Sequence, residues 1–319
     1  MKSAILLRKI DAKLDDIIHE DLTVLKKVKK HVIKSGGKRI RPLLHYYLLR
    51  MLGDESDAWV ETGAIGELIH AASLLHDDVI DEAGQRRGKP TMHTLEGNKT
   101  TILAGDYLLA CGFQHLSTLP AGAELLPVFT GVIRDLTVGE LIQMRWESNP
   151  ALSLKTYEEI IHRKTASLFG AMGRSAGILQ GLSAEQTDGL EDFGIRMGRM
   201  FQIRDDYLDY FGDPRKEGKQ LYQDVNRRLV TFPLLQLVKK MSAADRREFK
   251  KRWSGSENGK TVRDFVVERM EKHEIRKIVA LEMEEEIHRL MKFLRDYPGS
   301  DYRNKLVDRL SELQVPVQG

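Results

Sequence analysis

The chain has 319 residues, of which 41% are hydrophobic, 7% aromatic and 30% charged, with a formal charge of +3. That balance suits a soluble, amphipathic helical protein and not a disordered or membrane-embedded one; so small a surplus charge calls for no nucleic-acid partner. With no proline-, glycine- or serine-rich linker, residues 1–319 read as a single large domain. The lone cysteine, Cys111, excludes an intrachain disulfide and a thiolate metal cage and reads as a buried, inert thiol. The apolar run Ala4 to Leu7 is too short for a signal-peptide core. No uninterrupted apolar stretch approaches the ~20 residues of a membrane span, so a cytoplasmic location without stable membrane insertion is expected.

In chain order, Ile10, Leu14, Ile17, Ile18, Leu22, Leu25, Val28 and Val32 recur every three to four residues and predict one amphipathic helix over 5–33. The stretch "SGGKRIRP" breaks it, and a second helix is expected to start near Pro42. After a turn at Gly53 to Asp57, the spacing of Ile65, Leu68, Ile69, Ala72 and Val79 predicts a helix ending in His76-Asp77-Asp78-Val79-Ile80-Asp81. Residues 82–98 read as a polar loop, followed by helices over about 99–117 and 124–146. The next helix carries Tyr157, Ile160, Ile161 and Leu168, and its small residues beyond Gly170 suggest close helix packing. Ser183-Ala-Glu-Gln186 has the pattern of a capping box. It opens a helix carrying Arg204-Asp205-Asp206-Tyr207-Leu208-Asp209, which Gly212 to Gly218 end. Shorter helices are expected near 229–240, 243–253, 261–272, 275–296 and 301–313. No strand-like alternation persists, and an all-α, many-helix bundle is the economical reading.

The two aspartate trios place carboxylates at i, i+1 and i+4, so each forms one compact acidic patch on a helix. Like charges at that spacing cost roughly 0.2 to 0.5 kcal/mol per pair unless a cation lies between them. Carboxylate oxygens suit Mg²⁺, which binds through one or two carboxylates plus substrate phosphates. A solvated helix face would account for one trio; two identical trios point to metal and to a clamp on a diphosphate. Basic residues complete the pattern: Lys38, Arg39 and Arg41 in a glycine loop, Arg86 and Arg87 shortly after Asp81, Lys164 before Thr165, and Lys219 after Gly218. Singly each reads as a surface cation; together they read as diphosphate ligands, Arg forked and Lys a point charge. His70 precedes Asp77 by seven residues, ~10 Å along one helix face.

The segments "GGKRIRP", "LIHAASLLHDDVIDEAGQRRGKPT", "AGDYLL", "GELIQ", "HRKTASLF", "MFQIRDDYLDYFGD" and "EGKQLYQD" occur in that order, and from about residue 20 to 310 the sequence resembles the trans-isoprenyl diphosphate synthases. The resemblance implies one helical bundle of the isoprenoid synthase type with a central apolar cavity. By the same resemblance, Asp77, Asp78, Asp81, Asp205, Asp206 and Asp209 hold Mg²⁺ on an allylic diphosphate, which Arg86, Lys164, Thr165, Gln202 and Lys219 contact. Lys38, Arg41, His70 and Arg87 hold isopentenyl diphosphate, and the catalytic set is Asp77, Asp78, Asp81, Lys164, Asp205, Asp206 and Lys219. Ala72 and Ser73 stand where relatives making shorter products carry an aromatic ring, so an all-trans product of geranylgeranyl length or longer is expected, with the longer class favoured. A homodimer, with or without a small companion subunit, is implied as well.

The chain departs from the family pattern at Leu229, where a diphosphate-binding lysine is usual, at Gln220 and Tyr222, where proline and glycine are usual, and in lacking an arginine after "VPVQG". Arg227 or Arg228 would be the substitute cation for Leu229. Two alternatives stand beside this reading. A terpene cyclase of the same helical class usually carries Asn, Ser or Thr, and Glu in its second metal motif, whereas this chain has a full aspartate trio. A non-catalytic partner subunit typically loses aspartates, and all six are present.

Overall fold

The computed structural model describes residues 2–19, 21–34, 38–86, 88–217, 221–255 and 259–317. The helices in chain order are α1 (Lys2–Ile17), α2 (Thr23–Lys34), α3 (Ile40–Met51), α4 (Ala58–Ile80), α5 (Met92–Glu96), α6 (Asn98–Ser117), α7 (Gly122–Trp146), α8 (Leu154–Ile161), α9 (Ser167–Leu179) and α10 (Ala184–Phe211). Then follow α11 (Pro214–Glu217), α12 (Gln223–Asn226), α13 (Phe232–Lys240), α14 (Ala243–Ser254), α15 (Gly259–Lys272), α16 (Ile275–Leu294) and α17 (Asp301–Ser311). Among the described residues the one sheet is a two-stranded antiparallel hairpin, β1 (Gln85–Arg86) and β2 (Lys89–Pro90). It lies inside the stretch read as a plain loop, which also contains α5; two-residue strands are too short to leave an alternating pattern.

By backbone contacts the chain divides into two compact units. The first is Met1–Arg134, Leu168–Gly194 and Ser300–Leu306; the second is Asp135–Ser167, Ile195–Gly299 and Val307–Gly319.

In the first unit α4 is the central element, contacted by α1, α3, α5 and α6. Its sequence is apolar nearly all round, as a helix enclosed by others must be, and Ile65, Leu68, Ile69, Ala72 and Leu75 are buried. Polar ties fix its partners. His45 of α3 shares hydrogen bonds with the Met172 carbonyl (2.8 Å) and the Thr62 hydroxyl (2.5 Å). Arg39 donates to Glu67 at 2.6 Å and to Asp11 at 3.0 Å. The close packing expected beyond Gly170 is present: a Cβ on Gly173 would lie 2.0 Å from the Leu190 carbonyl oxygen, so only glycine fits there. The capping box is reciprocal, Ser183 Oγ accepting from the Gln186 N–H (3.3 Å) and Gln186 Oε1 from the Ser183 N–H (3.2 Å).

Two expectations are corrected here. The single helix over 5–33 is two helices, α1 and α2. The His19 N–H turns back to the Ile17 carbonyl and its Nδ1 meets the Asp16 carbonyl, ending α1. Leu22, counted on the apolar stripe, is 59% exposed. Cys111 is only partly buried.

In the second unit α13 packs against α8, α15 and α16, while α12 and α14 rest on α15. Serines cap α8 and α14: Ser153 Oγ accepts the Thr156 N–H, and Ser242 Oγ accepts the Asp245 N–H. Directly after α8 the backbone widens into a π-turn over His162–Ala166, a rare conformation that recurs at functional sites.

Candidate active site

In the first unit, Asp77 and Asp78 occupy the last turn of α4 and Asp81 caps it, its N–H bonding to the Asp77 carbonyl at 2.8 Å. Asp81 is exposed and Asp78 only 2% exposed. The hairpin returns the chain to this helix end, and Arg86 Nε donates to Asp78 Oδ1 at 2.7 Å. One guanidinium N–H is thereby spent on the carboxylate. His31 of α2, which the sequence did not single out, is near enough for Asp78 to oppose the burial that lowers its imidazole pKa.

The three cations of the glycine loop separate into different roles. Arg39, in a left-handed conformation (φ 44°), is buried and spent on Glu67 and Asp11. Lys38 is exposed. Arg41 lies with its guanidinium 4.9 Å over the Phe169 ring, and its Nε is buried without a hydrogen-bond partner among the described residues. His70 is partly exposed, and its carbonyl accepts the Ser73 hydroxyl at 2.9 Å. Ala72 is fully buried. Arg87 lies outside the described residues.

In the second unit Asp205 is exposed, whereas Asp206 and Asp209 are 5% and 3% exposed. Three donors converge on Asp206, two of them from other helices. The Tyr157 hydroxyl of α8 donates to Oδ2 at 2.5 Å, the first N–H of α13, from Phe232, donates to the same oxygen at 3.3 Å, and Gln202 Nε2 donates to Oδ1 at 2.9 Å. Gln202 is oriented in turn by the Thr165 hydroxyl, which donates to its Oε1 at 2.9 Å. Burial pushes the Asp206 carboxyl up to about 6, with Tyr157, Gln202 and Phe232 pulling the other way and Asp205 adding to the rise. Asp209 accepts the Gln223 and Asp224 N–H groups, both at 3.1 Å, and so grips the start of α12.

Lys164 sits in the π-turn and pairs with Glu140 of α7. A Cβ on Gly139 would lie 2.8 Å from both Arg163 Cβ and Lys164 Cγ, so a glycine at this point of α7 is what lets the π-turn approach. Lys219 lies outside the described residues. Of the substitutes for Leu229, Arg227 is exposed and Arg228 lies 5.5 Å over the Trp253 ring. Tyr222 adopts the left-handed conformation (φ 61°) that explains why glycine is usual there, and its ring meets Tyr210 edge-on.

Sequence reasoning missed Tyr157, which counted only as an apolar helix position, and Glu140, whose one signal is its place beside Gly139 in "GELIQ". Among the described residues no three His, Cys, Asp or Glu side chains form a ready-made metal cage. An all-carboxylate donor set without a cage fits Mg²⁺ brought in with a phosphate-bearing substrate, the usual mode for this ion.

The polyprenyl synthetase family model matches residues 22–270, and the chain belongs to that family. It is 35% identical to the octaprenyl diphosphate synthase of Escherichia coli over 226 residues, covering 71% of this chain and 70% of that one. It is 32% identical to the all-trans-nonaprenyl-diphosphate synthase (geranyl-diphosphate specific) of Rhodobacter capsulatus over 302 residues, covering 93% and 92%. The solved structure of a decaprenyl diphosphate synthase from Rhodobacter capsulatus superposes with a TM-score of 0.88 at 31% identity, over 97% of this chain and 95% of that one. The fold is therefore the all-α fold of the isoprenyl synthases, and the protein is a trans-prenyl diphosphate synthase, an enzyme of the prenyltransferase class.

Proposed function

We propose that the enzyme condenses isopentenyl diphosphate with an allylic diphosphate in a Mg²⁺-dependent reaction, and that its all-trans product is longer than geranylgeranyl, in the octaprenyl to decaprenyl range. The observation that carries this reading is the company each aspartate trio keeps: Asp78 with Arg86, and Asp206 with Gln202 and Thr165. The names of the relatives above and the small, buried Ala72 support the longer product.

Asp77, Asp78, Asp81, Asp205, Asp206 and Asp209 are the residues that would hold Mg²⁺ on the allylic diphosphate. When bound, the ion neutralises charge on the leaving group. Arg86, Lys164, Thr165, Gln202 and Lys219 bind that diphosphate and stabilise it as the allylic C–O bond breaks and the electron pair departs with it. Lys164 exchanges Glu140 for a phosphate oxygen. Arg41, whose Nε is unpartnered among the described residues, binds the diphosphate of isopentenyl diphosphate together with Lys38, His70 and Arg87. The double bond of that substrate attacks the carbocation, and a proton is then lost to the departed diphosphate. Water quenches such a cation, so the growing tail needs an apolar wall, which we assign to Ala72 and Ser73.

We also propose that residues 1–319 work as one catalytic domain and that the enzyme is a cytoplasmic homodimer. No described helix is long and apolar enough to cross a membrane. The test is incubation of the purified protein with farnesyl diphosphate, labelled isopentenyl diphosphate and Mg²⁺. Chromatography should show prenyl diphosphates of octaprenyl length or longer. Absence of condensation, alone and with any companion subunit, overturns the reading. Asp77→Ala and Asp205→Ala should each reduce turnover greatly, and near-normal rates in both remove the metal assignment.

A further inference from the structure

Residues 239–252, "KKMSAADRREFKKR", hold seven basic and two acidic side chains, a formal charge of +5. The whole chain carries +3, so everything outside this segment carries −2. The surplus is concentrated on one short stretch of surface.

The structure explains how α14 displays it. Phe249 and Trp253 are buried, with ring centroids 5.1 Å apart and ring planes tilted by 47°, and fix the inward side of the helix. Both acids are consumed locally: Asp245 by Arg269 at 3.0 Å and Glu248 by Arg252 at 2.7 Å. Arg246, Arg247, Lys250 and Lys251 are all exposed, at positions i, i+1, i+4 and i+5, which is one helix face. Among the described residues no ion pair involves Arg247, Lys250 or Lys251. Lys239 and Lys240 extend the patch at the end of α13, and both are exposed. The face carries no large apolar side chain, only Ala243, Ala244 and Ser254 between the cations, so it can rest on a charged plane but not insert into one.

We propose that the exposed face of α14 docks on an anionic lipid bilayer. The choice of a bilayer over other polyanions rests on the proposed product: a diphosphate with an octaprenyl or longer tail does not stay dispersed in water, and the hydrocarbon of a bilayer is the phase that takes it. An enzyme held at that surface releases its product beside its destination. Attraction to anionic lipid is worth about fivefold in affinity per Lys or Arg near the surface and fades within a Debye length, so the contact is reversible and salt-sensitive.

The experiment is flotation of the substrate-free enzyme with vesicles of phosphatidylcholine, with or without phosphatidylglycerol. The wild type should float only with the anionic vesicles and be released by high salt. Arg247→Glu/Lys250→Glu/Lys251→Glu reverses three charges and should lose at least the ~100-fold in vesicle affinity that removing three cations costs, while unfolding temperature and condensation rate in vesicle-free solution stay unchanged. The milder Lys250→Gln/Lys251→Gln should give an intermediate loss and serves if the triple variant does not fold. Failure of the wild type to float, equal binding to neutral vesicles, or undiminished binding by a folded variant overturns the proposal. So does tighter binding to duplex DNA or polyglutamate than to anionic vesicles. Product length is measured separately: long products without flotation refute the surface, and flotation with short products leaves the surface standing and refutes the proposed product.

Discussion

Replacing Asp206 with Asn separates the stability of the fold from its chemistry. The carboxyl is 5% exposed and its pKa is raised from 3.8 to about 6, chiefly by burial. A raised carboxyl pKa means that the folded state prefers the protonated form. Its stabilising contribution is therefore complete below pH 3.8 and is lost as pH rises through about 6. Two pKa units at 1.36 kcal/mol each make the ionised carboxylate cost the metal-free fold about 3 kcal/mol at pH 8 and about half that at pH 5. The amide mimics the protonated acid. Its oxygen still accepts from Tyr157 and Phe232, and rotating the Gln202 amide lets that side chain accept from the new NH₂ while donating to the Thr165 hydroxyl. Asp206→Asn should thus be more stable than the wild type by up to about 3 kcal/mol at pH 8, with the gain shrinking towards acid pH, yet condense prenyl diphosphates far more slowly. Urea unfolding of both metal-free proteins at pH 8 and pH 5, with steady-state kinetics at saturating Mg²⁺, reads all three. A variant less stable at pH 8, or a gain that does not change with pH, refutes the reasoning.

Further expectations concern single contacts. His45 is fully buried and neutral, its pKa lowered from 6.5 to about 4 by burial, so the unfolded chain takes up a proton first; the fold should lose about 3 kcal/mol as pH falls from above 6.5 to 4, and His45→Gln should flatten that slope in acid-unfolding curves. Gly139→Ala sets a Cβ 2.8 Å from Arg163 Cβ and Lys164 Cγ, which should cost about 1 to 3 kcal/mol and raise KM for the allylic diphosphate several-fold; unchanged KM would mean that the π-turn does not depend on this contact. Tyr157→Phe removes one of three donors to a buried carboxylate, and about 2 kcal/mol of stability at pH 8 should go with it, as thermal unfolding would report. Ala72→Phe should shorten the product if the side chain lines the tail's path, and a folded variant with unchanged products would take Ala72 off that wall.

Much of this protein was legible in the residues taken in order. Helical spacing located nearly every helix, because burying one face of a helix imposes its period on the sequence; reciprocal capping at Ser183 and Gln186 was readable for the same local reason. The order of the motifs marked the family, because residues that share one reaction keep their places along the chain. What failed was the local break between α1 and α2, where the apolar period runs on through residues that are not helical and places Leu22 on the wrong face.

The surroundings of these candidate residues, within each unit, were decided by the tertiary structure. Lys38, Arg39 and Arg41 are equivalent in sequence, yet Arg39 is spent on Glu67 and Asp11 while Arg41 keeps a buried Nε without a described partner, a difference set by residues up to 28 positions away. The two aspartate trios have the same spacing, but Asp206 is enclosed by donors from α8 and α13 and Asp209 is tied to α12, whereas Asp205 is exposed. Spacing along a chain states which charges are neighbours on a helix. Desolvation and hydrogen-bond donors, which govern how such charges behave, come from whichever elements pack against that helix, and here they come from Tyr157 and Phe232.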